Sequence, residues 1–213
     1  MSGGNPKGYI VTGTDTDIGK TVFAAALVAA LDGAYWKPIQ AGLDGETDAA
    51  TVRRLSGLPA DRILPGVHAL RMAASPHIAA AHENVDIRQR DLGLPDASRP
   101  LVVEGAGGVM VPLSPRLLQI DVFAHWGLPV ILCARTSLGT INHVLLSLES
   151  LRRRRVVVHG VAFIGGPEPE VEETIATLGR VRRLGRLPLL DPLAAGPLAA
   201  GFASAFDLRD FVG

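Results

Sequence analysis

At 213 residues the chain is longer than one small domain needs and shorter than two average ones, so a single domain over residues 1–213 is expected. It is 47% hydrophobic, enough for a core without disulfides or structural metal, and its 21 Lys and Arg balance its 21 Asp and Glu, which argues against a nucleic-acid partner held mainly through phosphates. Cys133 is the lone cysteine, so no internal disulfide forms, and no stretch reaches the ~20 apolar residues of a membrane span.

The N-terminal stretch MSGGNPKGYIV lacks an apolar signal core, and a cytoplasmic protein is expected. In chain order, Tyr9–Thr12 reads as a strand, Lys20–Leu31 as a helix, Ala34–Lys37 as a strand and Asp48–Leu55 as a helix. Leu101–Glu104 is the next strand, followed by a helix over Leu117–His125 and a strand over Pro129–Ala134. Ile141–Arg153 and Pro169–Leu178 read as helices around a strand at Val156–Ile164, and Gly185–Leu189 is the last strand. Most of these strands are short apolar runs without alternation, as expected where both faces are buried. Alternation with helices then implies an α/β fold, a doubly wound and mostly parallel sheet.

The strongest motif follows the first strand: Gly13-Thr14-Asp15-Thr16-Asp17-Ile18-Gly19-Lys20-Thr21. A glycine-bounded turn ending in Gly-Lys-Thr and opening a helix is the pattern of a phosphate loop, as in P-loop NTPases. Backbone N–H groups and the helix dipole would hold phosphates there, Lys20 would reach the terminal phosphate oxygens, and Thr21 would ligate Mg²⁺. Five residues separate Gly13 from Gly19 where the common pattern has four, and Thr14 takes the usual first-glycine place.

Lys37 and Glu104 each end a buried strand, where a doubly wound sheet opens its ligand crevice. Lys37 would be a second cation facing Lys20 across a transferring phosphate, and Pro38 and Gly42 favour a turn after it. Glu104, before Gly105-Ala106-Gly107-Gly108, is placed to hold Mg²⁺ beside glycines that admit phosphate close to backbone. Between them, Asp44, Glu46 and Asp48 compete as a further carboxylate, and Thr47 or Asp48 could simply cap the following helix. Amides of the Ser137–His143 turn could bind a carboxylate, but from the residues alone helix capping is the stronger reading. His77 and His143 read as loop or cap residues, Cys133 as core, and Arg152–Arg155 as the cationic end of a helix, with RNA binding the weaker reading.

Taken together, Gly13–Thr21, Lys37-Pro38-Ile39, Ser75-Pro76-His77-Ile78-Ala79, Glu104–Gly108 and Gly139–His143 resemble, in content and order, the dethiobiotin synthetases. The resemblance spans most of the chain and is weakest in its last quarter. It implies a ligase of biotin synthesis acting on 7,8-diaminononanoate and CO₂, with Mg²⁺ and ATP or another nucleoside triphosphate. It implies Lys20 and Lys37 as catalytic cations and Thr21, Asp48 and Glu104 as the metal group. Around the nucleotide it places Thr16, Asp17, Ile18, Gly19, Lys20, Thr21 and Val22, with Glu104, Gly105, Ala106 and Gly107. Ile164, Gly165, Pro188, Leu189 and Leu190 would lie beside the base. Ala41 would be on the substrate side, and Gly139, Thr140, Ile141 and Asn142 would receive the substrate carboxylate across a homodimer. Two departures stand out: members often carry Ser or Thr where this chain has Ala41, and an asparagine near Ile164 that can read adenine. Here Ile164-Gly165-Gly166 offers no such side chain.

Two rival readings share a phosphate loop. An amide-forming synthetase of the cobyrinate type would need a glutamine-hydrolysing domain, for which the chain leaves no expected room. A partition- or cell-division-type ATPase switch usually has another lysine early in the loop, where this chain has Thr14 and Asp15.

Overall fold

A computed structural model describes residues 8–212; segment 1–7, read above as lacking a signal core, lies outside the described residues, as does Gly213. The chain begins with β1 (Gly8–Gly13), α1 (Lys20–Ala30), β2 (Ala34–Trp36), β3 (Ile39–Ala41), α2 (Asp48–Ser56), β4 (Ile63–Leu64), β5 (His68–Leu70) and α3 (Pro76–His82). It continues with β6 (Leu101–Gly108), β7 (Pro112–Ser114), β8 (Leu117–Leu118), α4 (Gln119–Trp126) and β9 (Val130–Arg135). The last elements are α5 (Thr140–Arg153), β10 (Val158–Ile164), α6 (Pro169–Gly179), β11 (Arg183–Leu187) and α7 (Ala195–Ala205).

Seven strands form one parallel sheet in the order β11-β10-β9-β1-β6-β2-β4. The six predicted strands are all in it, and β1 lies at its centre with every residue buried. Alternation along β1 divides the core. Val11 packs with Phe23 of α1, Val52 of α2 and Phe202 of α7 on one face; Ile10 packs with Phe123 of α4, Leu148 of α5 and Ile175 of α6 on the other. Each such large side chain contributes on the order of 1.5–3 kcal/mol on burial. Helices on both faces make this the doubly wound α/β fold expected from the sequence. No described helix is long and apolar enough to cross a membrane.

The differences from the sequence reading have local causes. The helix expected from Leu117 starts at Gln119, because Leu117–Leu118 pair antiparallel with β7 and Asp121 accepts a hydrogen bond from the Leu118 N–H (3.3 Å). The strand expected from Val156 starts at Val158, after Arg155 turns the chain at φ 56°. α7, with glycine and proline in its first turn, is carried by tertiary contacts: Phe202 and the C-cap Phe206, stacked one turn apart at 4.8 Å, both pack on Phe23 of α1. The Arg152–Arg155 run is used structurally, Arg152 donating to the carbonyls of Gly179 (2.6 Å) and Arg180 (2.9 Å) and Arg154 pairing with Asp121 (2.7 Å).

The C-terminal segment is fastened to the sheet by Tyr9, whose hydroxyl donates to the Phe211 carbonyl (3.1 Å), and by His159, 4.8 Å from the Tyr9 ring and 5.7 Å from Phe211. Burial, aided by the Arg182 charge, lowers the His159 pKa against the pull of Asp210. Its folded pKa thus lies below the unfolded value of ~6.5. The unfolded chain binds its proton first on acidification, so the stability from a neutral His159 is present above ~pH 6.5 and lost as pH falls through the folded pKa. Thermal melts between about pH 8 and about pH 5 are expected to show a smaller fall in Tm for His159→Phe than for the wild type. Equal slopes would show that His159 does not couple the segment to pH.

Candidate active site

The site lies where the carboxyl ends of β1, β2 and β6 meet the start of α1. Between β1 and α1 the chain passes through two left-handed residues, Asp17 at φ 53° and Gly19 at φ 92°. A Cβ on Gly19 would lie 3.0 Å from Ile164 Cγ2, so this position needs glycine both for its φ and for the close approach of β10. Alternation of right- and left-handed residues is the backbone form that turns consecutive N–H groups into an anion cradle. The loop is tied down by the Thr14 N–H donating to the Cys133 carbonyl (3.1 Å) and by Arg135 at the end of β9, which donates to the carbonyls of Asp17 (2.8 Å) and Thr16 (3.4 Å). Lys20 folds back over it, its Nζ donating to the Asp15 carbonyl (2.6 Å). Burial pushes the Lys20 pKa down and the Lys37 charge adds to this; the nearby Glu104 carboxylate only partly restores it.

Register brings the charged residues together. β6 pairs with β1 at Val11↔Glu104 and with β2 at Trp36↔Val103, so Lys37, the next residue, arrives beside Glu104. Glu104 is 1% exposed, and its two oxygens have different partners. Oε1 lies 2.8 Å from the Thr21 hydroxyl and 2.9 Å from Lys37 Nζ, while Oε2 accepts from the Tyr35 hydroxyl at 2.8 Å. Asp48 completes the cluster: Oδ1 accepts from Thr21 (2.9 Å) and Oδ2 forms an ion pair with Lys37. Burial works against the charged form of both members of that pair. The Glu104 and Asp48 carboxylates outweigh it at Lys37 and hold its pKa above the ordinary lysine value, and Lys37 holds Asp48 below the ordinary carboxylate value. The Tyr35 phenol is pushed well up by burial and by Glu104, so it keeps its proton.

Asp48 reaches the cluster because Thr47 caps α2 by accepting from the Ala50 N–H (3.3 Å), and because the Gln40 side chain accepts from the Asp48 N–H (3.2 Å). The competing carboxylates lie elsewhere. Glu46 is held by Arg54 through two hydrogen bonds of 2.9 and 2.7 Å, and Asp44 is exposed.

These groups open onto a cleft of about 810 Å³. Lys20, Thr21, Lys37, Asp48 and Glu104 line it, as do Thr16, Asp17, Gly19 and Val22 of the phosphate loop and α1. Ala41, Ala106 and Gly107 face the same space, and the far wall is formed by Ile39 and Ala73–Pro76. Ile18 turns into the core at 3% exposure, and a Cβ on Gly105 would meet Phe123 Cζ at 2.9 Å, so this glycine backs onto α4 rather than the cleft. Gln119 braces the glycine segment, accepting from the Ala106 N–H (2.6 Å) and donating to the Gly108 carbonyl (3.0 Å).

Gly139–Asn142 begins α5 and does not line the cleft of its own chain; within it the Thr140 hydroxyl is buried without a hydrogen-bond partner. Ile164 packs under Gly19. Gly165 has both backbone groups engaged, its N–H donating to the Leu187 carbonyl (3.0 Å) and its carbonyl accepting from Arg186 (3.1 Å). Pro188, Leu189 and Leu190 follow β11; Leu189 is exposed and Leu190 packs near Gly201. His77 Nδ1 lies 3.0 Å from the Ser75 hydroxyl, His143 is exposed, and Cys133 is buried, with burial pushing its thiol pKa far up, as suits an unreactive core residue.

Tyr35, Gln119 and Arg135 are the residues at the site that the sequence reading missed. Only Tyr35 carried a signal: two residues before Lys37 on one strand, it shares that lysine's face.

A family model described as an AAA domain matches residues 7–196. An ATP-dependent dethiobiotin synthetase BioD from Rhodopseudomonas palustris is 61% identical over 204 residues, covering 96% of each chain. The protein of the same name from Rhizorhabdus wittichii is 58% identical, covering 96% of this chain and 98% of its own, and that from Nitrobacter hamburgensis is 58% identical, covering 95% and 96%. Among solved structures, a ParA family ATPase from Chlorobium tepidum superposes with a TM-score of 0.51 at 12% identity, over 92% of this chain and 90% of that one, which is a likeness of fold alone.

Proposed function

The chain belongs to the ATP-dependent dethiobiotin synthetase family, and on that premise we propose that Lys20, Lys37 and the Thr21–Asp48–Glu104 cluster carry its chemistry within one synthetase domain over residues 1–213. The enzyme is a ligase of biotin synthesis that uses ATP to form dethiobiotin from 7,8-diaminononanoate and CO₂. One observation carries the residue assignment: two carboxylates, an ammonium group and a hydroxyl converge on the first turn of the helix that opens from the phosphate loop.

In the reaction proposed, a neutral amine of the substrate adds CO₂ and loses a proton to become a carbamate. A carbamate oxygen attacks the γ-phosphate and displaces ADP, giving a carbamic–phosphoric anhydride, and the second amine closes the cyclic urea with loss of phosphate and a proton. The obstacle is electrostatic, since an anionic nucleophile must approach an anionic phosphate. Lys37 Nζ, kept protonated by its carboxylate neighbours, and Lys20 over the loop supply fixed positive charge where the transition state gathers negative charge. Gly19, Lys20 and Gly107 supply the backbone cradle. The Gly139–Asn142 turn, absent from the cleft of its own chain, would receive the substrate carboxylate from across a homodimer.

The donor set suits Mg²⁺. Thr21 has one hydroxyl proton but lies within hydrogen-bond distance of an oxygen of each carboxylate, so it serves one at a time and leaves acceptors facing one another. That is an electrostatic site for a cation. Among the described residues no group of three or more His, Cys, Asp or Glu forms a cage, and a hard, partly protein-coordinated ion that keeps waters and phosphate oxygens is the match. Bound there, Mg²⁺ would neutralise phosphate charge.

Formation of dethiobiotin from diaminononanoate, bicarbonate and ATP tests the reading; ATP hydrolysis without product would overturn it. Lys37→Ala is expected to lower kcat about 10²–10³-fold with the fold intact by circular dichroism. Glu104→Gln and Asp48→Asn are expected to raise the Mg²⁺ concentration needed for half-maximal rate, and unchanged Mg²⁺ dependence in both would remove them from the metal group.

A second expectation concerns the base. Strong discrimination needs buried polar groups that a wrong ligand leaves unpaired. Ile164 has none, and both backbone groups of Gly165 are already engaged. At least one of CTP, GTP and UTP is therefore expected to support synthesis within about tenfold of ATP in kcat/KM, a gap of ~1.4 kcal/mol. Steady-state comparison of the four triphosphates decides it, and a strong preference for ATP over all three would show that backbone near Pro188–Leu190 reads adenine unaided.

A further inference from the structure

We propose that Tyr35 is a positioning residue for the ligation, holding one oxygen of Glu104 so that the other stays aimed at Thr21 and Lys37. The proposal rests on the reading of Glu104 as a metal-holding carboxylate. Tyr35 is fully buried in the core on the α1 side of the sheet and does not line the cleft. Its hydroxyl donates to Glu104 Oε2 at 2.8 Å, and among the described residues no other hydrogen bond reaches that oxygen. Oε1 carries all of Glu104's contacts with the cleft, to Thr21 at 2.8 Å and Lys37 at 2.9 Å.

The arrangement follows from strand pairing. β2 lies beside β6 with Tyr35 opposite Val102 and Trp36 opposite Val103. Residues two apart on a strand share a face, so β2 sends Tyr35 and Lys37 to the same side. One reaches the deep oxygen of Glu104 and the other the outer one. A glutamate with three side-chain torsions, buried at 1% exposure, has no solvent to fix its carboxylate plane. Without the phenol, the inner oxygen is a buried charged acceptor with no donor, which carboxylates avoid by rotating. Such a rotation would move Oε1 from its place between the Thr21 hydroxyl and Lys37 Nζ. Groups that orient ligating carboxylates in this way typically account for 10–100-fold in metal affinity or activity.

Tyr35→Phe keeps the ring that fills the core and deletes only the hydroxyl. Trp36→Phe is the matched control: it deletes one hydrogen bond from the same strand on the opposite face, that from Trp36 Nε1 to the Pro65 carbonyl (3.0 Å). Two quantities are measured on the full-length protein: Mn²⁺ affinity of its complex with a non-hydrolysable ATP analogue, by electron paramagnetic resonance, and the Mg²⁺ concentration for half-maximal synthesis at saturating ATP. Tyr35→Phe is expected to weaken both about 10–100-fold, with kcat at saturating Mg²⁺ reduced much less. Trp36→Phe is expected to lower Tm and leave both constants unmoved. A Tyr35→Phe protein whose Mn²⁺ affinity lies within about twofold of wild type, while Glu104→Gln has lost it, overturns the role of Tyr35 and leaves Glu104 in place. If Glu104→Gln itself retains wild-type Mn²⁺ affinity, the metal reading fails and the proposal fails with it. Equal weakening by Trp36→Phe would reduce the effect to general loss of stability and overturn it also.

Discussion

The constraint on which the site depends is charge balance in a place with little water. Lys37 and Glu104 are 8% and 1% exposed, and a charge left unpaired at that depth costs several kcal/mol. Lys37 cannot be buried there without Glu104 and Asp48, nor Glu104 without donors on both of its oxygens. This mutual dependence fixes the ends of two strands, β2 and β6, and the starts of two helices, α1 and α2, relative to one another. It explains why β2, only three residues long, runs directly into the cleft: its next residue is the cation that the end of β6 requires.

A parallel sheet makes such a cluster economical to assemble. All seven strands point the same way, so the residue after each one emerges on the same edge, and central β1 delivers the phosphate loop there. Neighbouring strand ends then need only small side chains between them to let backbone approach. The glycines after Glu104 serve this purpose; a Cβ on Gly107 would lie 3.3 Å from Thr16 Oγ1, against the phosphate loop. Flexible glycine backbone must be held by something, and Gln119 and Arg135 hold it from outside the cleft, one on the β6 extension and the other on the loop itself. The cradle is thus soft in sequence and rigid in context.

That division also explains what could be read from the sequence. The phosphate loop, Lys37 and Glu104 were legible because each is a local pattern: a motif on a strand-to-helix turn, or a charge that ends an apolar run. Asp48 could not be separated from Asp44 and Glu46, since all three lie within five residues and the choice is made by Thr47 capping α2 and by Arg54 drawing Glu46 away. Gln119 and Arg135 were illegible because their meaning lies wholly in long-range contacts. Short β4 and proline-initiated α3 left too few residues for periodicity to register, and α7 is held by the packing of Phe202 and its C-cap Phe206 on Phe23 of α1 rather than by the helix propensity of its own sequence.

The same charge arithmetic bears on how nucleotide is held. Lys20 and Lys37 are opposed by Asp48 and Glu104, so the cluster itself carries no net charge to offer a triphosphate. What remains on the protein side is the helix dipole and the N–H groups of the phosphate loop, equivalent to about half a charge at the start of α1. On the proposed reading, the phosphate chain must therefore bring its own counter-ion into the space between the two carboxylates. Neutralising those carboxylates would in turn loosen their hold on Lys37 Nζ and free its charge for the anionic reactants. Affinity would then reside mainly in phosphates and metal, the parts of the ligand that all nucleoside triphosphates share.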